Sequence, residues 1–391
     1  MNIPYGRQNI SEEDIEAIAQ VLRSDFLTQG PVVPRFERAV AAYCGAERAV
    51  ATNSATSALH LSCIALGVGK GDHVWTSPIT FVASANCAVY CGANIDFVDI
   101  NLRNYNMDVN ALEKKLIQAS LDGNLPKVVI PVHMCGQPCE MERIHELAQQ
   151  FGFRVIEDAS HAIGAKYKGE PVGSCRYSDI TVFSFHPVKI ITTGEGGMAL
   201  TNNPKLAAIM ERLRSHGVTR DPLEMTNVPD GPWSYQQLEL GFNYRMTEMQ
   251  AALGISQLAR LDQFVAERQE LANEYDKILQ PKIASIPERM LDTYSSFHLY
   301  VVQLNLQALG ATQKEIFERL LSHGIMVNLH YMPLYRHPYY RSAGHEQTNL
   351  VNAETYYSKA ITLPLFPGLS NEQLRQVVEI MASPLGHQTI F

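Results

Sequence analysis

The segment 181–197, TVFSFHPVKIITTGEGG, runs from an apolar, β-branched stretch through one lysine, Lys189, into a glycine-dense turn. Its first part reads as the end of a buried strand. An ammonium beside such a strand end is costly unless its charge is paired or its nitrogen is used. Two readings of Lys189 stand at this point. It is a snorkelling lysine that follows a strand, or its amine attacks carbonyls, with a pKa lowered by burial or neighbouring charge.

Outward from this segment, apolar runs alternate with helix-period runs from residue 33 to about 215. The strand candidates are RAVATN (48–53), HVWTSP (73–78), IDFVDI (95–100), KVVIPVH (127–133), FRVIEDA (153–159) and DITVFSF (179–185). Helix candidates such as ATSALHLSCIAL (55–66) and MERIHELAQQF (141–151) separate them. Strands apolar throughout, joined by helices, imply a parallel sheet covered on both faces, with ligands at the strands' carboxyl ends. Residues 204–217 read as a helix between Pro204 and Gly217, and 218–240 as an extended loop. Thr247 and Gln250 fit a capping box opening a long helix that runs, straight or with a bend, to about Leu279. After Pro281 the pattern becomes a smaller α+β set: FHLYVVQL, KEIFERLLSHG, IMVNLHYMPL and ITLPLF, closed by a helix capped by Ser370 and Gln373. The expected division is a large α/β domain over 1–260 and a small one over 261–391.

The 391 residues suffice for both domains, and 46% hydrophobic with 18% charged residues is the composition of a globular protein. A net charge of −8 argues against nucleic-acid or anionic-membrane partners, so an anionic ligand must be held locally. The amino terminus shows no signal-peptide pattern, and no apolar run approaches a membrane span. The seven cysteines, including the pairs in CAVYC (87–91) and CGQPC (135–139), match no zinc spacing. They read as reduced core thiols in a cytoplasmic protein with no metal site.

Two further elements join Lys189. Asp158 ends an apolar strand, where its carboxylate could pair with a protonated ring nitrogen of a ligand or cap a helix. In TNSATSALHLS (52–62), a strand gives way to a helix, and the N–H groups of Ala55, Thr56 and Ser57 would form a phosphate cradle or be capped locally. Ser184 could donate to the same phosphate. Phosphate cradle, carboxylate and lysine, in that order, meet the needs of pyridoxal 5′-phosphate.

With these residues in place, the chain resembles the fold-type-I, pyridoxal-phosphate-dependent nucleotide-sugar aminotransferases of the DegT/StrS kind. The resemblance runs through DFLTQGPVVPRFE, NSATSALHL, TSPITFVASAN, EDASHAIGA, SFHPVK, TTGEGG, LRSHG, GFNYRMTEMQAALG and VNLHYMPLY, over nearly the whole chain. IPYG, SHAIGA and FSFHPVKIITTGEGG are similar to the branch that serves pseudaminic acid biosynthesis.

The resemblance implies a role for each matching position. Lys189 would form the Schiff base and then act as general acid/base. Asp158 would pair with the pyridine nitrogen, Phe81 would stack on the ring, and His161 would sit near the ring's phenolic oxygen. Ala55, Thr56 and Ser184 would surround the phosphate and the bound adduct. Asn243 would reach a neighbouring subunit's site, implying a homodimer, and Arg245 would hold a donor carboxylate. Tyr5, Asp25, Phe26, Leu27, Thr28, Asn328, Leu329, His330 and Tyr331 match the sugar-nucleotide positions. The implied substrates are L-glutamate and a UDP-linked 4-keto sugar. Read without the resemblance, Phe81 is core packing, His161 a structural histidine, and NLHYMPL a strand with His330 exposed at its end. The rivals are an aminotransferase for another UDP- or dTDP-linked sugar, a sugar 3-dehydratase, and a cofactor-binding regulator. The dehydratases carry histidine where this chain has Lys189, and a regulator would need an appended DNA-binding module.

Overall fold

The structure, a computed structural model, describes residues 2–345 and 348–383. Helices α1 (Glu12–Leu22) and α2 (Val32–Cys44) precede a seven-stranded sheet. That sheet contains β1 (Arg48–Thr52), β2 (His73–Thr76), β3 (Asn94–Phe97), β4 (Val128–Ile130) and β5 (Arg154–Asp158). After a short hairpin of β6 (Lys166–Tyr167) and β7 (Glu170–Pro171), it is completed by β8 (Ile180–Ser184) and β9 (Gly197–Thr201). The spatial order is β1-β9-β8-β5-β4-β2-β3. Helices α3 (Ala55–Ala65), α4 (Ala83–Tyr90), α5 (Val109–Asp122), α6 (Met141–Phe151) and α7 (Pro204–Leu213) join or flank the strands.

The sheet is parallel except for β9, which runs antiparallel to both β8 and β1. The sheet is thus mainly parallel, as expected, and its one antiparallel member, GMALT, lies outside the strand candidates of the sequence. Residues 185–196 form only a turn, too short for a helical crossover, so the chain returns beside β8 in the opposite sense. Every residue of β8 and β9 is buried.

Helix α7 stops at Leu213 rather than reaching Gly217, because the chain leaves it to bridge Ser215 with Asn243. Strands β10 (Val218–Thr219) and β11 (Gln236–Gln237) tie the expected loop 218–240 into a minimal hairpin. The capping box at Thr247 and Gln250 opens α8 (Glu248–Leu258), as expected. The long helix, however, is two. At Arg260 the backbone leaves helical geometry (φ −108°, ψ 5°) before α9 (Leu261–Ile278) begins.

The second body is built on a three-stranded antiparallel sheet of β12 (Ala284–Ser285), β14 (Tyr300–Leu304) and β15 (Ala360–Leu363); β13 (Thr293–Tyr294) instead pairs with β6. Helices Gln313–Ser322 and Asn371–Ala382 cover it, each opened by a capping box. Leu261, Phe264 and Val265 of α9 belong to a core under the large sheet, whereas Leu271, Ala272 and Tyr275 belong to the second core. The change of core therefore falls inside α9. Ile3 also lies in the second core, its N–H donating to the Gly324 carbonyl at 2.8 Å, so the N-terminal segment docks there and not on the large sheet. The segment 325–334 is not the expected strand: it makes only single bridges, Ile3 with Ile325 and Asn328 with Thr362. Among the described residues, no helix is long and apolar enough to cross a membrane. All seven cysteines are free, six of them buried.

Candidate active site

A cavity of about 680 Å³ opens at the carboxyl ends of β5 and β8, roofed by residues 328–332 and Tyr5. Lys189 enters it from the turn after β8. That turn is fixed by its own backbone: Phe185 N–H donates to the Gly196 carbonyl at 2.9 Å, Thr193 N–H to Phe185 at 3.0 Å, and Lys189 N–H to His186 at 2.9 Å. Gly194 takes φ 79°, a conformation costly for other residues. The Lys189 side chain keeps part of its surface open to the cavity, yet protein surrounds its amine. Burial lowers its pKa from 10.5 to about 8, and the Asp158 carboxylate pulls the other way. The snorkelling reading does not hold.

Asp158 is buried at the end of β5 and caps no α-helix. Its Oδ2 accepts from Ser84 Oγ at 2.6 Å and its Oδ1 from the Ser160 N–H at 3.1 Å. Opposite, α3 presents its N-terminus to the cavity. Ser54 caps it, its Oγ accepting from Ser57 N–H at 3.1 Å, so the Ser57 amide is taken and only those of Ala55 and Thr56 stay free. That corrects the three-amide cradle. Ser184, in register with Gly197, completes this wall. Glycine is required at 197, where a Cβ would lie 2.4 Å from the Ala55 nitrogen.

Phe81, just before α4, is 57% exposed with its ring bordering the cavity, so it is not core packing. Its centroid lies 6.3 Å from that of Tyr331. Tyr331 OH and His161 Nε2 are 3.2 Å apart, and the two rings stack. His330 is buried rather than exposed: its Nδ1 meets Thr362 Oγ1 at 2.9 Å, and its ring lies 5.5 Å from that of Tyr5. Burial, reinforced by Lys189, lowers its pKa to about 3 and puts His161 well below 6.5. These imidazoles are neutral neighbours of the lysine. Asn328 and Leu329 also line the cavity.

Asp25, Phe26, Leu27 and Thr28 do not. They are exposed before α2, with Leu27 accepting from the Glu248 N–H at 3.1 Å. Asn243 is exposed and outside the cavity of its own chain, its carbonyl bridged to Asn53. Arg245 likewise stays out, its Nε buried without a partner. Sequence reasoning missed His298, whose ring packs 4.5 Å from that of His161 and lines the cavity from the second body. It also missed Ser84, although a hydroxyl three residues beyond Phe81 was a usable signal. Arg268 is invisible in sequence as well: fully buried in α9, it donates from Nη1 to the carbonyls of Phe297, His298 and Leu365 at 3.2, 3.1 and 3.0 Å.

Residues 8–382 match the model of the DegT/DnrJ/EryC1/StrS aminotransferase family. The chain is 38% identical over 384 residues to the Campylobacter jejuni UDP-4-amino-4,6-dideoxy-N-acetyl-beta-L-altrosamine transaminase, covering 98% of this chain and 97% of that one. Among solved structures, Helicobacter pylori PseC, an aminotransferase involved in pseudaminic acid biosynthesis, superposes with a TM-score of 0.88 at 31% identity, covering 97% of this chain and 98% of that one. The PLP form of the putative sugar aminotransferase Spr1654 from Streptococcus pneumoniae gives 0.86 at 30% identity, covering 98% of each. The chain belongs to this family; it is a sugar aminotransferase of the fold-type-I class and its cofactor is pyridoxal phosphate. The residues present fit that group. Two free helix-start amides suit its phosphate, a buried carboxylate its ring nitrogen, and an amine of lowered pKa its aldehyde.

Proposed function

We propose that this aminotransferase moves the amino group of L-glutamate to C4 of a UDP-linked 4-keto-6-deoxy sugar, UDP-2-acetamido-2,6-dideoxy-β-L-arabino-hex-4-ulose. The products are UDP-4-amino-4,6-dideoxy-N-acetyl-β-L-altrosamine and 2-oxoglutarate, and the place is pseudaminic acid biosynthesis in the cytoplasm. The observation that carries the reading is one cavity holding Lys189, with its depressed pKa, beside Asp158 and the open start of α3. The 38% identity to the C. jejuni transaminase supports the choice of sugar.

Bound pyridoxal phosphate supplies the electron sink that makes an amino acid's α-proton removable. The chain's residues do the rest. Asp158 would accept a hydrogen bond from the ring nitrogen and keep it protonated. The Ala55 and Thr56 amides with Ser184 would hold the phosphate, Phe81 would cover one ring face, and His161 with Tyr331 would border the ring. Lys189, its amine freed once the donor is bound, would take the donor's α-proton and deliver a proton where the amino group is to reside. Tyr5, Asn328, Leu329 and His330 line the part assigned to the sugar. Asn243 and Asp25–Thr28, exposed on the single chain, would complete the site in a homodimer. The exposure of Phe26 (53%), and of Leu240 (82%) three residues before Asn243, supports such a contact.

The test supplies purified protein with pyridoxal phosphate and L-glutamate, then with UDP- and dTDP-linked 4-keto sugars in parallel. The expected result is bleaching of the yellow band by L-glutamate and amination of the UDP-linked 6-deoxy N-acetyl sugar in preference to the others. Preferred amination of a dTDP-linked or pentose substrate would move the enzyme to another branch of its family. Turnover retained by Lys189→Ala would sink the assignment of the lysine.

A further inference from the structure

We propose that Ser84, with Thr80 behind it, is a positioning residue for the reaction: a two-hydroxyl chain that sets the rotation of the Asp158 carboxylate and registers it against Phe81. The proposal rests on the cofactor assignment above.

The chain is short and wholly buried. Asp158 is 4% exposed, Thr80 3% and Ser84 0%. Ser84 Oγ lies 2.6 Å from Asp158 Oδ2, and Thr80 Oγ1 lies 2.7 Å from Ser84 Oγ. Proton counting fixes its direction. Ser84 Oγ donates to Asp158 Oδ2, and that uses its single hydroxyl proton. The contact between Thr80 and Ser84 then requires Thr80 as donor. The other carboxylate oxygen is held at 3.1 Å by Ser160 N–H. Rotation about the last bond of an aspartate is otherwise broad. Here each oxygen is pinned by one donor, from two different elements, and the remaining lone pairs are left for a ligand.

The same chain joins the two ring contacts. Thr80 immediately precedes Phe81, and Ser84 lies in the first turn of α4. Tying Thr80 to Ser84 therefore fixes the loop carrying the aromatic ring to the helix that holds the carboxylate. A small slip between these contacts misplaces the cofactor plane relative to Lys189, and such errors are amplified in rate.

Four variants test the assignment: Ser84→Ala, the isosteric Thr80→Val, both together, and Ser84→Thr. Each is measured for pyridoxal phosphate affinity, for the pH dependence of the bound cofactor's visible absorbance, for kcat and KM of the L-glutamate half-reaction, and for apoprotein unfolding. Ser84→Ala is expected to lower kcat about tenfold, as loss of an orienting second partner does, with KM for L-glutamate little changed and the absorbance titration shifted. Thr80→Val should move both quantities the same way by less, and the double variant should be no worse than Ser84→Ala alone, because the hydroxyls act in series. Ser84→Thr should restore the titration. An unchanged titration and kcat in Ser84→Ala, beside a wild type that binds cofactor normally, overturns this proposal alone. Loss of apoprotein stability with no change in titration also overturns it, by making the hydroxyls merely structural. A wild type that takes up no cofactor overturns the cofactor assignment and this proposal together.

Discussion

The depressed pKa of Lys189 makes a measurable difference to the apoprotein. An amine captures an aldehyde only when neutral. With a pKa of about 8, roughly a quarter of Lys189 side chains are neutral at about pH 7.5. For an ordinary lysine at 10.5 the fraction is about one in a thousand, so the neutral fraction is on the order of a hundredfold larger, an upper bound on the gain in capture rate because a less basic amine is a weaker nucleophile. The perturbation that isolates the cause is Asp158→Asn. Burial lowers the lysine's pKa, and the carboxylate partly offsets this by favouring the ammonium. Removing the negative charge should therefore move the midpoint below that of the wild type, even though Asp158→Asn loses the ring-nitrogen partner and with it transamination. The assay follows the first-order appearance of the cofactor's visible band in apoprotein across pH, for wild type and variant. A wild-type profile climbing toward a midpoint near 10.5 would refute the role of burial. A midpoint that rises in Asp158→Asn would refute the sign assigned to the carboxylate.

Three further substitutions follow from contacts around the cavity. Gly197→Ala places a Cβ 2.4 Å from the Ala55 nitrogen and 2.4 Å from the Ser54 carbonyl carbon, so the start of α3 must shift. Cofactor affinity should fall by about tenfold or more in an equilibrium titration, and unaltered affinity would show that these amides do not hold the phosphate. Phe81→Ala removes an exposed ring, so apoprotein stability should stay within about 0.5 kcal/mol while pyridoxal phosphate binds about 1 kcal/mol more weakly. A large loss of stability in denaturant unfolding would return Phe81 to the core. Arg268→Ala leaves three buried carbonyls without their donor, and should cost about 3 kcal/mol or more in the same unfolding measurement. A cost below about 1 kcal/mol would mean that water or a neighbour replaces the guanidinium.

Much of the large sheet was legible because its strands are apolar throughout and its helices start at recognisable caps. Thr247 with Gln250 and Ser370 with Gln373 form the capping boxes that their spacing announces. Lys189, Asp158 and the start of α3 were legible for the same reason: each sits at a strand end, where a local pattern already says which way the chain turns. The illegible parts depend on what another segment does. Asp158 could be a ligand-facing carboxylate or a helix cap, and the Ser84 hydroxyl from α4 separates the two. The Ser57 amide looks as free as those of Ala55 and Thr56 until the Ser54 side chain is seen to claim it. Phe81 could face a ligand or pack in the core, and its 57% exposure beside the cavity decides against the core.

Local pattern was enough for the alternation of strands and helices, the order of cradle, carboxylate and lysine along the chain, and the change to a second α+β set after Pro281. These follow from short-range rules: the burial period of a segment and the hydrogen-bonding needs of its ends. Tertiary structure decided the reversal of β9, the break at Arg260 and the docking of Ile3 on the second core. It brought His298, which no local pattern marks, into the same cavity as His161, His330 and Lys189. It also left Asn243 and Asp25–Thr28 outside that cavity. Side chains so distant meet only through packing between bodies, and no period or spacing in a chain encodes which buried faces will be pressed together.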